Sequence, residues 1–156
     1  MKYDIYGDGT FCNIFPKRIY KTWHPRLSNI SPRAKIGKGT KLHAGVHIHD
    51  QVTIGENCQI EAMVFIPNGV TIEDNVFIGP GVVFTNDPTL DTPREDWKPT
   101  ATLVKRGAKI GANATIRAGV VIGENSIVGC GSVVLKNVPN GEIWVGNSAR
   151  RIRNAT

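Results

Sequence analysis

The sequence predicts an all-β domain built as a parallel β-helix, and three periodic features support this prediction. An apolar residue recurs at every sixth position from Ile30 to Phe84 and again from Val104 to Val134, and fifteen of these sixteen residues are aliphatic. Gly or Asn lies three positions after twelve of them, and a small or β-branched residue commonly comes one position later. A period of six fits no helix face, but it fits a chain that turns a corner after each short strand.

Each six-residue repeat is expected to contribute one strand and one corner. The aliphatic residue faces the interior, the Gly or Asn bends the chain with a positive φ, and the small residue packs inward beside it. Three repeats complete one triangular coil, so residues eighteen apart stack at a spacing of about 4.8 Å. About five coils are expected, each covering the apolar face of its neighbour. The asparagines among the predicted bends are Asn57, Asn75, Asn113, Asn125 and Asn137.

Departures from the period set the expected boundaries. Residues 1–28 are aromatic and charged, and they are expected to cap the first coil, which would otherwise expose unpaired strand edges. Residues 29–140 form the predicted β-helix, from which residues 85–103, with three prolines and many charges, leave as one long loop. Residues 141–156 are expected to form a C-terminal strand and a tail.

Composition narrows the classes of function. The net charge is +6, no stretch is apolar enough to span a membrane, and the first residues lack the apolar core of a signal peptide. The three cysteines show no metal-ligand spacing, and no aromatics are interleaved with the C-terminal basic residues. These features predict a cytoplasmic protein with no membrane or nucleic-acid partner.

The eighteen-residue stacking brings polar residues together on one edge of the predicted helix. Asp50, Asn68 and Asn86 fall in one column, and His49 begins the neighbouring column. Polar residues stacked on one edge indicate a groove. The competing interpretation is a solvated corner with a ladder of asparagines.

Three stretches carry a resemblance to a known family. They are residues 79–87, which include Phe84-Thr85-Asn86-Asp87, residues 102–116, and residues 145–150. In these stretches the chain resembles hexapeptide-repeat acyltransferases, and most of all the N-acetyltransferases of nucleotide-linked amino sugars. Those enzymes act on dTDP-3-amino-3,6-dideoxyhexoses or on UDP-2-acetamido-3-amino-2,3-dideoxyglucuronate. The resemblance implies a left-handed β-helix, a homotrimer, acetyl-CoA as donor and no metal.

The resemblance also implies where the chemistry lies. Asn86 matches an asparagine close to the reacting amine and the CoA sulfur, and its side-chain carbonyl can orient the nucleophile. Asp87 is expected either to contact the substrate or to serve as a turn residue. A sugar hydroxyl needs a general base, usually His, whereas an unprotonated amine already has its lone pair. Hydroxyl-acetylating relatives place His-Pro where this chain has Asp87-Pro88, so an amine acceptor is predicted.

Further contacts are expected around Asn86. His49 is a candidate catalytic residue, and His47 falls where some family members have a histidine near the nucleotide. His43 precedes Glu61 by eighteen positions, so the two are expected to stack as an ion pair, with Glu61 among the substrate contacts. The alternative for the histidines is that they are exterior strand residues.

The loop and the upper coils are expected to complete the site. Arg94 is expected to pair with a carboxylate or phosphate and Trp97 to stack on a base or ring, unless both simply hold the loop down. The resemblance places CoA beside coils four and five. The residues expected near it are Ala118, Gly119, Lys136 and Arg150.

Three other functions remain open. An O-acetyltransferase on the same fold would use His49 or His47 as its base. A zinc hydratase of the γ-carbonic anhydrase kind needs two histidines close in sequence and a third about two coils away, and the positions of His24, His43, His47 and His49 do not fit. A non-catalytic scaffold would leave the long polar loop without a purpose. The sequence therefore predicts an acetyl-CoA-dependent N-acetyltransferase of a nucleotide-linked amino sugar, with dTDP or UDP and a C3 or C4 amine left open.

Overall fold

The computed structural model describes residues 3–4, 11–12, 21–22, 27–91, 93 and 95–155. Within these residues the chain winds through three stacked parallel sheets, which form the faces of a triangular β-helix. The predicted all-β parallel helix is confirmed. The described turns number about six, one more than predicted, because β-pairing continues beyond Val134.

Between residues 29 and 134 the strands of the three faces follow one another in rotation. Near the N-terminus, β1 (Tyr3–Asp4) pairs antiparallel with β2 (Phe11–Cys12). The first sheet contains β4 (Asn29–Ile30), β7 (His47–Ile48), β10 (Phe65–Ile66), β13 (Val83–Phe84), β16 (Thr115–Ile116) and β19 (Val133–Val134). The second sheet contains β5 (Lys35–Ile36), β8 (Thr53–Ile54), β11 (Val70–Ile72), β14 (Thr102–Val104) and β17 (Val121–Ile122). The third sheet contains β3 (Lys21–Thr22), β6 (Lys41–Leu42), β9 (Gln59–Ile60), β12 (Phe77–Ile78), β15 (Lys109–Ile110), β18 (Ile127–Val128), β20 (Glu142–Val145) and β21 (Arg150–Asn154).

The interior is a continuous stack of the periodic aliphatic side chains. Leu42, Ile60 and Ile78 in the third sheet are 0% exposed, and the small residues Thr40 and Val46 are equally buried. Each fully buried aliphatic side chain stabilises the fold by roughly 1.5–3 kcal/mol. Each strand from β3 to β19 has only two or three residues, so its stability depends on the coils above and below it.

The corners largely follow the predicted bends. Four of the predicted asparagines have a positive φ, namely Asn57, Asn75, Asn113 and Asn125. The prediction is wrong for Asn137, which has no positive φ. In the sixth turn a single β-bridge between Ile122 and Val138 stands where the second sheet would have its next strand. There the Oδ1 atom of Asn137 accepts the backbone N–H of Val121 at 2.8 Å. Gln51 and Met63 have a positive φ although neither residue type favours it.

The long loop spans residues 85–101 and so ends two residues before the predicted end, because β14 begins at Thr102. Its returning arm lies between two glycine corners. A Cβ on Gly69 would lie 3.2 Å from Cβ of Pro99, and a Cβ on Gly119 would lie 3.1 Å from Cγ2 of Thr100. The φ angles of both glycines are positive, at +88° and +84°. Glycine therefore gives the arm room to return to the helix.

The C-terminal segment contains more structure than predicted. The expected strand is β20, which extends the third sheet in parallel. A second strand, β21, folds back antiparallel on β20, and Nε of Arg151 lies 2.9 Å from the Glu142 carboxylate. At the other end, β3 pairs with β6 below the first complete coil. The proposed cap of residues 1–28 otherwise lies outside the described residues.

Candidate functional site

Most of the predicted site residues lie along one edge of the β-helix, which we call the first corner. It consists of the residues that follow each strand of the first sheet, namely 31–33, 49–51, 67–69, 85–101, 117–119 and 135–137. Asp50, Asn68 and Asn86 occupy three consecutive levels of this corner, and Ala118 and Lys136 occupy the next two. The spacing of eighteen, interrupted by the loop, aligns all five on one edge.

A groove of about 400 Å³ opens at the lower levels of the first corner. Its lining residues are Asn29, Ser31, Pro32, Arg33, His47, Ile48, His49, Asp50 and Asn68. The structure thus brings together four of the predicted site residues, His47, His49, Asp50 and Asn68. Asn86 lies one level above Asn68 and does not line the groove.

Two imidazoles form the centre of the groove. The Nε2 atoms of His47 and His49 are 3.2 Å apart, and each ring meets Phe65 edge-on with ring centroids 5.4 and 5.2 Å away. Nδ1 of His49 lies 3.0 Å from Oδ1 of Asn68, and Nδ2 of Asn29 lies 3.2 Å from Nε2 of His47. Burial first, and then the nearby His49, lower the pKa of His47. The two rings are therefore held in place by the amide of Asn29 from the strand below and the amide of Asn68 from the corner above.

A carboxylate and a guanidinium form the charged side of the groove. The Ser31 hydroxyl donates a hydrogen bond to the Asp50 carboxylate, and the Arg33 guanidinium lies 3.4 Å from the other carboxylate oxygen. The Arg33 side chain is 77% exposed, so it can approach an anionic ligand while Asp50 remains anchored by Ser31.

Asp87 caps the beginning of the loop. One carboxylate oxygen accepts the backbone N–H groups of Thr89 and Leu90, each at 3.0 Å, and also the Thr89 hydroxyl. The N–H groups of Leu90 and Thr89 contribute most to lowering the pKa of Asp87, and a bond from the Trp97 side chain adds to the effect. These bonds make Asp87 a turn residue at the start of the loop. The substrate contacts expected of Asp87 and Trp97 stay predictions.

Hydrogen bonds fix the loop on both sides of Asn86. The Asn86 carbonyl accepts the N–H of Thr100 at 2.9 Å, and Thr85 Oγ1 accepts the N–H of Ala118 at 2.9 Å. The Arg117 guanidinium donates to the Pro88 carbonyl at 3.1 Å. The backbone of Asn86 is therefore fixed by the loop, and its half-buried side chain is positioned by that framework.

The remaining predicted residues are more dispersed. Glu61 lies 3.5 Å from Nδ1 of His43, as the stacking predicts, and accepts a hydrogen bond from the Gln59 amide, but it does not line the groove. Arg150 begins β21 and donates to the Ala149 carbonyl. Arg94 lies outside the described residues, so its predicted substrate contact stays a prediction.

The residues expected at CoA lie at the upper levels of the first corner, apart from Arg150. The N–H of Ala118 is already bonded to Thr85, and the N–H of Gly119 donates to Thr102 Oγ1 at 3.1 Å. The N–H groups of both residues are therefore already hydrogen-bonded, and their carbonyl oxygens are the backbone groups that can bind pantetheine. Lys136 is exposed one level above Ala118 and can approach a phosphate.

Three polar residues of the groove were not predicted from the sequence, namely Asn29, Ser31 and Arg33. The signal was available, because Asn29 precedes His47 by eighteen positions and Ser31 precedes His49 by eighteen. Extending the polar columns one coil downwards would have found both. Arg33 had no comparable signal, since its contact with Asp50 depends on a long side chain reaching between levels.

Among the described residues, no three His, Cys, Asp or Glu side chains are grouped as metal ligands. No helix in the described part of the chain combines the length and apolarity that a membrane crossing requires.

Comparison with known proteins identifies the repeats. The model for "bacterial transferase hexapeptide (six repeats)" matches residues 33–68 and 101–136, and the model for the "hexapeptide repeat of succinyl-transferase" matches residues 51–86. Together these matches cover more than half of the 156 residues. Each matched range contains strands of all three faces of the β-helix. The six-residue repeat of the sequence therefore corresponds to one strand and one corner of the structure.

One curated relative and several solved structures are similar. A dTDP-3-amino-3,6-dideoxy-α-D-galactopyranose 3-N-acetyltransferase of Aneurinibacillus thermoaerophilus is 47% identical over 49 residues, which are 31% of this chain and 26% of that protein. A mutant of the perosamine N-acetyltransferase of Caulobacter crescentus, in complex with CoA and GDP-perosamine, shares the fold with a TM-score of 0.73 and 24% identity over 86% of this chain. The chain spans 58% of that enzyme.

A third similarity covers more of the other protein. The hexapeptide-repeat acetyltransferase VCA0836 of Vibrio cholerae, in complex with acetyl-CoA, has a TM-score of 0.61 and 25% identity. The match covers 88% of this chain and 73% of that enzyme. The fold and the repeat type are therefore shared with enzymes whose structures contain CoA or acetyl-CoA.

Proposed function

Since the chain belongs to the hexapeptide-repeat family, we propose that it is an acetyl-CoA-dependent N-acetyltransferase acting on the amino group of a nucleotide-linked amino-deoxy sugar. The observation that carries this proposal is the polar groove on the first corner, directly below the anchored loop that holds Asn86. The similar proteins supply the substrate class, since they include an acetyltransferase of a dTDP-linked amino sugar and one in complex with CoA and GDP-perosamine.

The reaction needs little covalent assistance from the protein. The amine nitrogen attacks the thioester carbonyl carbon, the C–N bond forms, the C–S bond breaks with its electrons going to sulfur, and the nitrogen loses one proton. Placing the two reactants in this orientation accounts for a large part of the rate. In the proposed site the Asn86 side-chain carbonyl accepts an N–H of the attacking amine and so fixes its lone pair towards the thioester.

The charged groups of the site suit a nucleotide-linked sugar. Arg33 and Arg94 are candidates for the diphosphate, and Lys136 and Arg150 are candidates for the phosphates of CoA. Asp50 and Asn68 offer oxygens to sugar hydroxyls, and Trp97 contributes by fixing the loop. The product is an N-acetylated sugar donor for a surface polysaccharide or glycan, made in the cytoplasm.

The enzyme is proposed to act as a homotrimer. Support comes from the outward side chains of the first sheet. Phe65, which meets the His47 ring, is half-buried, and Val83 is 39% exposed. A second copy packed on this sheet would bury these residues and close the open side of the groove. Sedimentation equilibrium should give three times the mass of the chain, and a mass equal to that of one chain would contradict the trimer.

The activity is tested by free-thiol release from acetyl-CoA with matched acceptors. The panel holds dTDP-, UDP- and GDP-linked 3-amino and 4-amino sugars, each beside the corresponding hydroxyl sugar. Because Cys130 is a free and exposed thiol, enzyme and acetyl-CoA without acceptor form the blank. We expect turnover on at least one amine and none on its hydroxyl counterpart. No turnover on any member of the panel would refute the proposal.

Residue roles are tested on the acceptor so identified. Asn86→Ala should lower kcat by about 10²-fold, because the amine loses its orienting acceptor. Asn154→Ala is the matched control, since Asn154 is exposed on β21 and has no positive φ, and it should retain wild-type turnover. Equal losses in the two variants would remove Asn86 from the reaction.

A second candidate function rests on the two imidazoles. His47 and His49 supply a base in the groove, which is what transfer to a sugar hydroxyl requires. Turnover on hydroxyl sugars in the same panel would establish an O-acetyltransferase, and turnover on amines alone would exclude it.

A further inference from the structure

Two consecutive residues of the coil above hold the segment that contains Asn86. Ala118 donates its backbone N–H to Thr85 Oγ1 at 2.9 Å, on the N-terminal side of Asn86. Arg117 donates from its guanidinium to the Pro88 carbonyl at 3.1 Å, on the C-terminal side. The backbone N–H of Arg117 is itself bonded in the ladder of the first sheet at 3.0 Å, so the guanidinium extends from a fixed position. Asn86 therefore lies between two contacts that the first corner makes with the loop.

The bond from Arg117 controls the direction in which the loop leaves the helix. The proline ring fixes φ of Pro88, so the direction of its carbonyl depends on ψ. A guanidinium bonded to that carbonyl selects one value of ψ, and with it the path of the next residue, Thr89. The ring of Pro88 also disfavours a helical conformation for Asp87. The segment from Asn86 to Pro88 thus has few free torsions, and the bond from Arg117 restrains one of them.

The turn that follows is not held in place by the preferences of its residues. Leu90 has a φ of +64°, which leucine rarely adopts, and its side chain is 86% exposed. The turn depends instead on the Asp87 carboxylate, which accepts the N–H groups of Thr89 and Leu90. These bonds shape the turn but do not orient it relative to the coils. The bond from Arg117 to Pro88 supplies such an orientation.

The guanidinium of Arg117 is free for this role because no carboxylate competes for it. In the described part of the chain, ion pairs between arginine and a carboxylate form at Arg33, Arg106 and Arg151, and none forms at Arg117. Arg117 is exposed, so the bond costs its charge little hydration. A charged donor also makes a stronger hydrogen bond to a carbonyl than a neutral donor does. The contact with Pro88 is thus a favourable one for this side chain.

We propose that Arg117 is a positioning residue for the acetyl transfer, which acts on the amine through Pro88 and Asn86. The inference rests on the proposed function, because that function places the acceptor amine at the Asn86 side-chain carbonyl. Thr100, on the returning arm of the loop, donates its N–H to the Asn86 backbone carbonyl at 2.9 Å, while Arg117 holds the departing arm. Arg117 takes up no proton and forms no covalent bond. It keeps the Asn86 side chain in the orientation in which the amine faces the thioester.

The first test uses the resting protein and needs no substrate. Amide hydrogen exchange of Thr100 reports the bond to the Asn86 carbonyl, and that of Leu90 reports the turn. Arg117→Met keeps an unbranched apolar side chain and removes the donors, so both rates should rise by about 3- to 10-fold, the effect of one lost hydrogen bond. Arg117→Lys keeps a charged donor and should stay near the wild-type rates. Unchanged rates in Arg117→Met would overturn the proposal.

The second test measures turnover of the amine acceptor that thiol release identifies. Arg117→Met should lower kcat by about 10-fold and leave KM for acetyl-CoA unchanged, because the donor still binds but the amine is misaligned. Arg117→Lys should recover most of the loss. Equal kcat values in these two variants would contradict a role for the hydrogen bond.

The matched control for the second test is Arg153→Met. Arg153 also donates from its guanidinium to a backbone carbonyl, that of Asn154 at 3.0 Å, but it lies on β21. The same change is therefore made to the same kind of bond away from the loop. Arg153→Met should keep the wild-type kcat, and a loss equal to that of Arg117→Met would remove the specific role of Arg117.

A double variant tests whether Arg117 acts through Asn86. In Asn86→Ala the orienting carbonyl is already absent, so adding Arg117→Met should lower kcat further by less than about 2-fold. A further loss of about 10-fold, as large as in the wild-type background, would show that Arg117 acts independently of Asn86 and would overturn the proposal.

The tests separate the inference from the function on which it rests. If no acceptor is turned over, the proposed function fails, and the amide exchange of Thr100 and Leu90 still decides whether Arg117 positions the loop. If an amine is turned over and Arg117→Met has the wild-type kcat, the function stands and the positioning role is refuted.

Discussion

Replacing Thr85 by valine tests whether the loop is anchored at its first residue. Thr85 Oγ1 accepts the backbone N–H of Ala118 at 2.9 Å, and Ala118 is only 2% exposed. Valine has nearly the same shape as threonine, so the substitution removes the acceptor and little else. A buried N–H left without an acceptor costs about 1–3 kcal/mol, so the free energy of unfolding should fall by about 2 kcal/mol.

The chain contains a matched control in Thr102→Val. Thr102 Oγ1 accepts the N–H of Gly119, the residue after Ala118, at 3.1 Å. Thr102 is only 1% exposed, but Gly119 is exposed, so water can reach its N–H from the solvent side of the corner. The loss should therefore be about 1 kcal/mol or less. The two variants make the same chemical change at adjacent amides that differ in exposure.

Urea unfolding at one fixed protein concentration measures both losses. The midpoint should fall at constant slope, since the surface exposed on unfolding is unchanged. Amide hydrogen exchange of Ala118 should accelerate in Thr85→Val and stay near the wild-type rate in Thr102→Val. Equal losses in the two variants, or a loss below about 0.5 kcal/mol for Thr85→Val, would refute the anchoring role.

Three further predictions concern the core, the loop and the groove. Ile66→Ala, at a residue 0% exposed, should lower the free energy of unfolding by about 2–5 kcal/mol, whereas Ile152→Ala, at 56% exposure, should change it by less than about 0.5; urea unfolding measures both. Because the pKa of Asp87 is lowered, its carboxylate should stabilise the loop at pH values above 3.8, the ordinary pKa, and this effect should be lost as the pH falls through the pKa of the folded state. Carbon NMR should show the carboxylate titrating below pH 3.8. The substitution Asp87→Asn should speed the amide hydrogen exchange of Leu90. Because the pKa of His47 is lowered in the folded chain, the unfolded chain binds a proton more readily, so His47 should lower the free energy of unfolding as the pH falls below 6.5. The substitution His47→Gln should remove that part of the decrease. Urea unfolding at pH values on either side of 6.5 measures it.

The periodic part of the fold could be predicted because it depends on local chemistry. An aliphatic residue every six positions fixes which side chains face inward, and Asn57 or Asn75 bends the chain because asparagine tolerates positive φ. Gln51 and Met63 bend in the same way without that preference, because the ladders on both sides of each corner impose the conformation. Strand β21 was missed because it lies outside the period and pairs antiparallel.

The candidate site could be predicted only where stacking places it. The alignment of Asp50 with Asn68 follows from the spacing of eighteen, and so does the contact of His43 with Glu61. The bonds of Asp87 within the loop could not be anticipated, because they depend on the path of an irregular segment. The contact between the two Nε2 atoms depends on side-chain torsions, which the period does not determine.

The loop interrupts the spacing of eighteen residues between stacked positions, but the ladder of the β-helix continues through it. Thr71 pairs with Thr53 eighteen positions earlier and with Leu103 thirty-two positions later, yet both pairings belong to the same uninterrupted ladder. The length of the segment between Phe84 and Thr102 is thus independent of the architecture, since its ends meet at one corner. An insertion or deletion at this place changes what stands above the groove and leaves every inward side chain where it was. Under the proposed function, the contacts to the acceptor can therefore change by exchange of the part of this segment that follows Asn86, while the coils stay as they are.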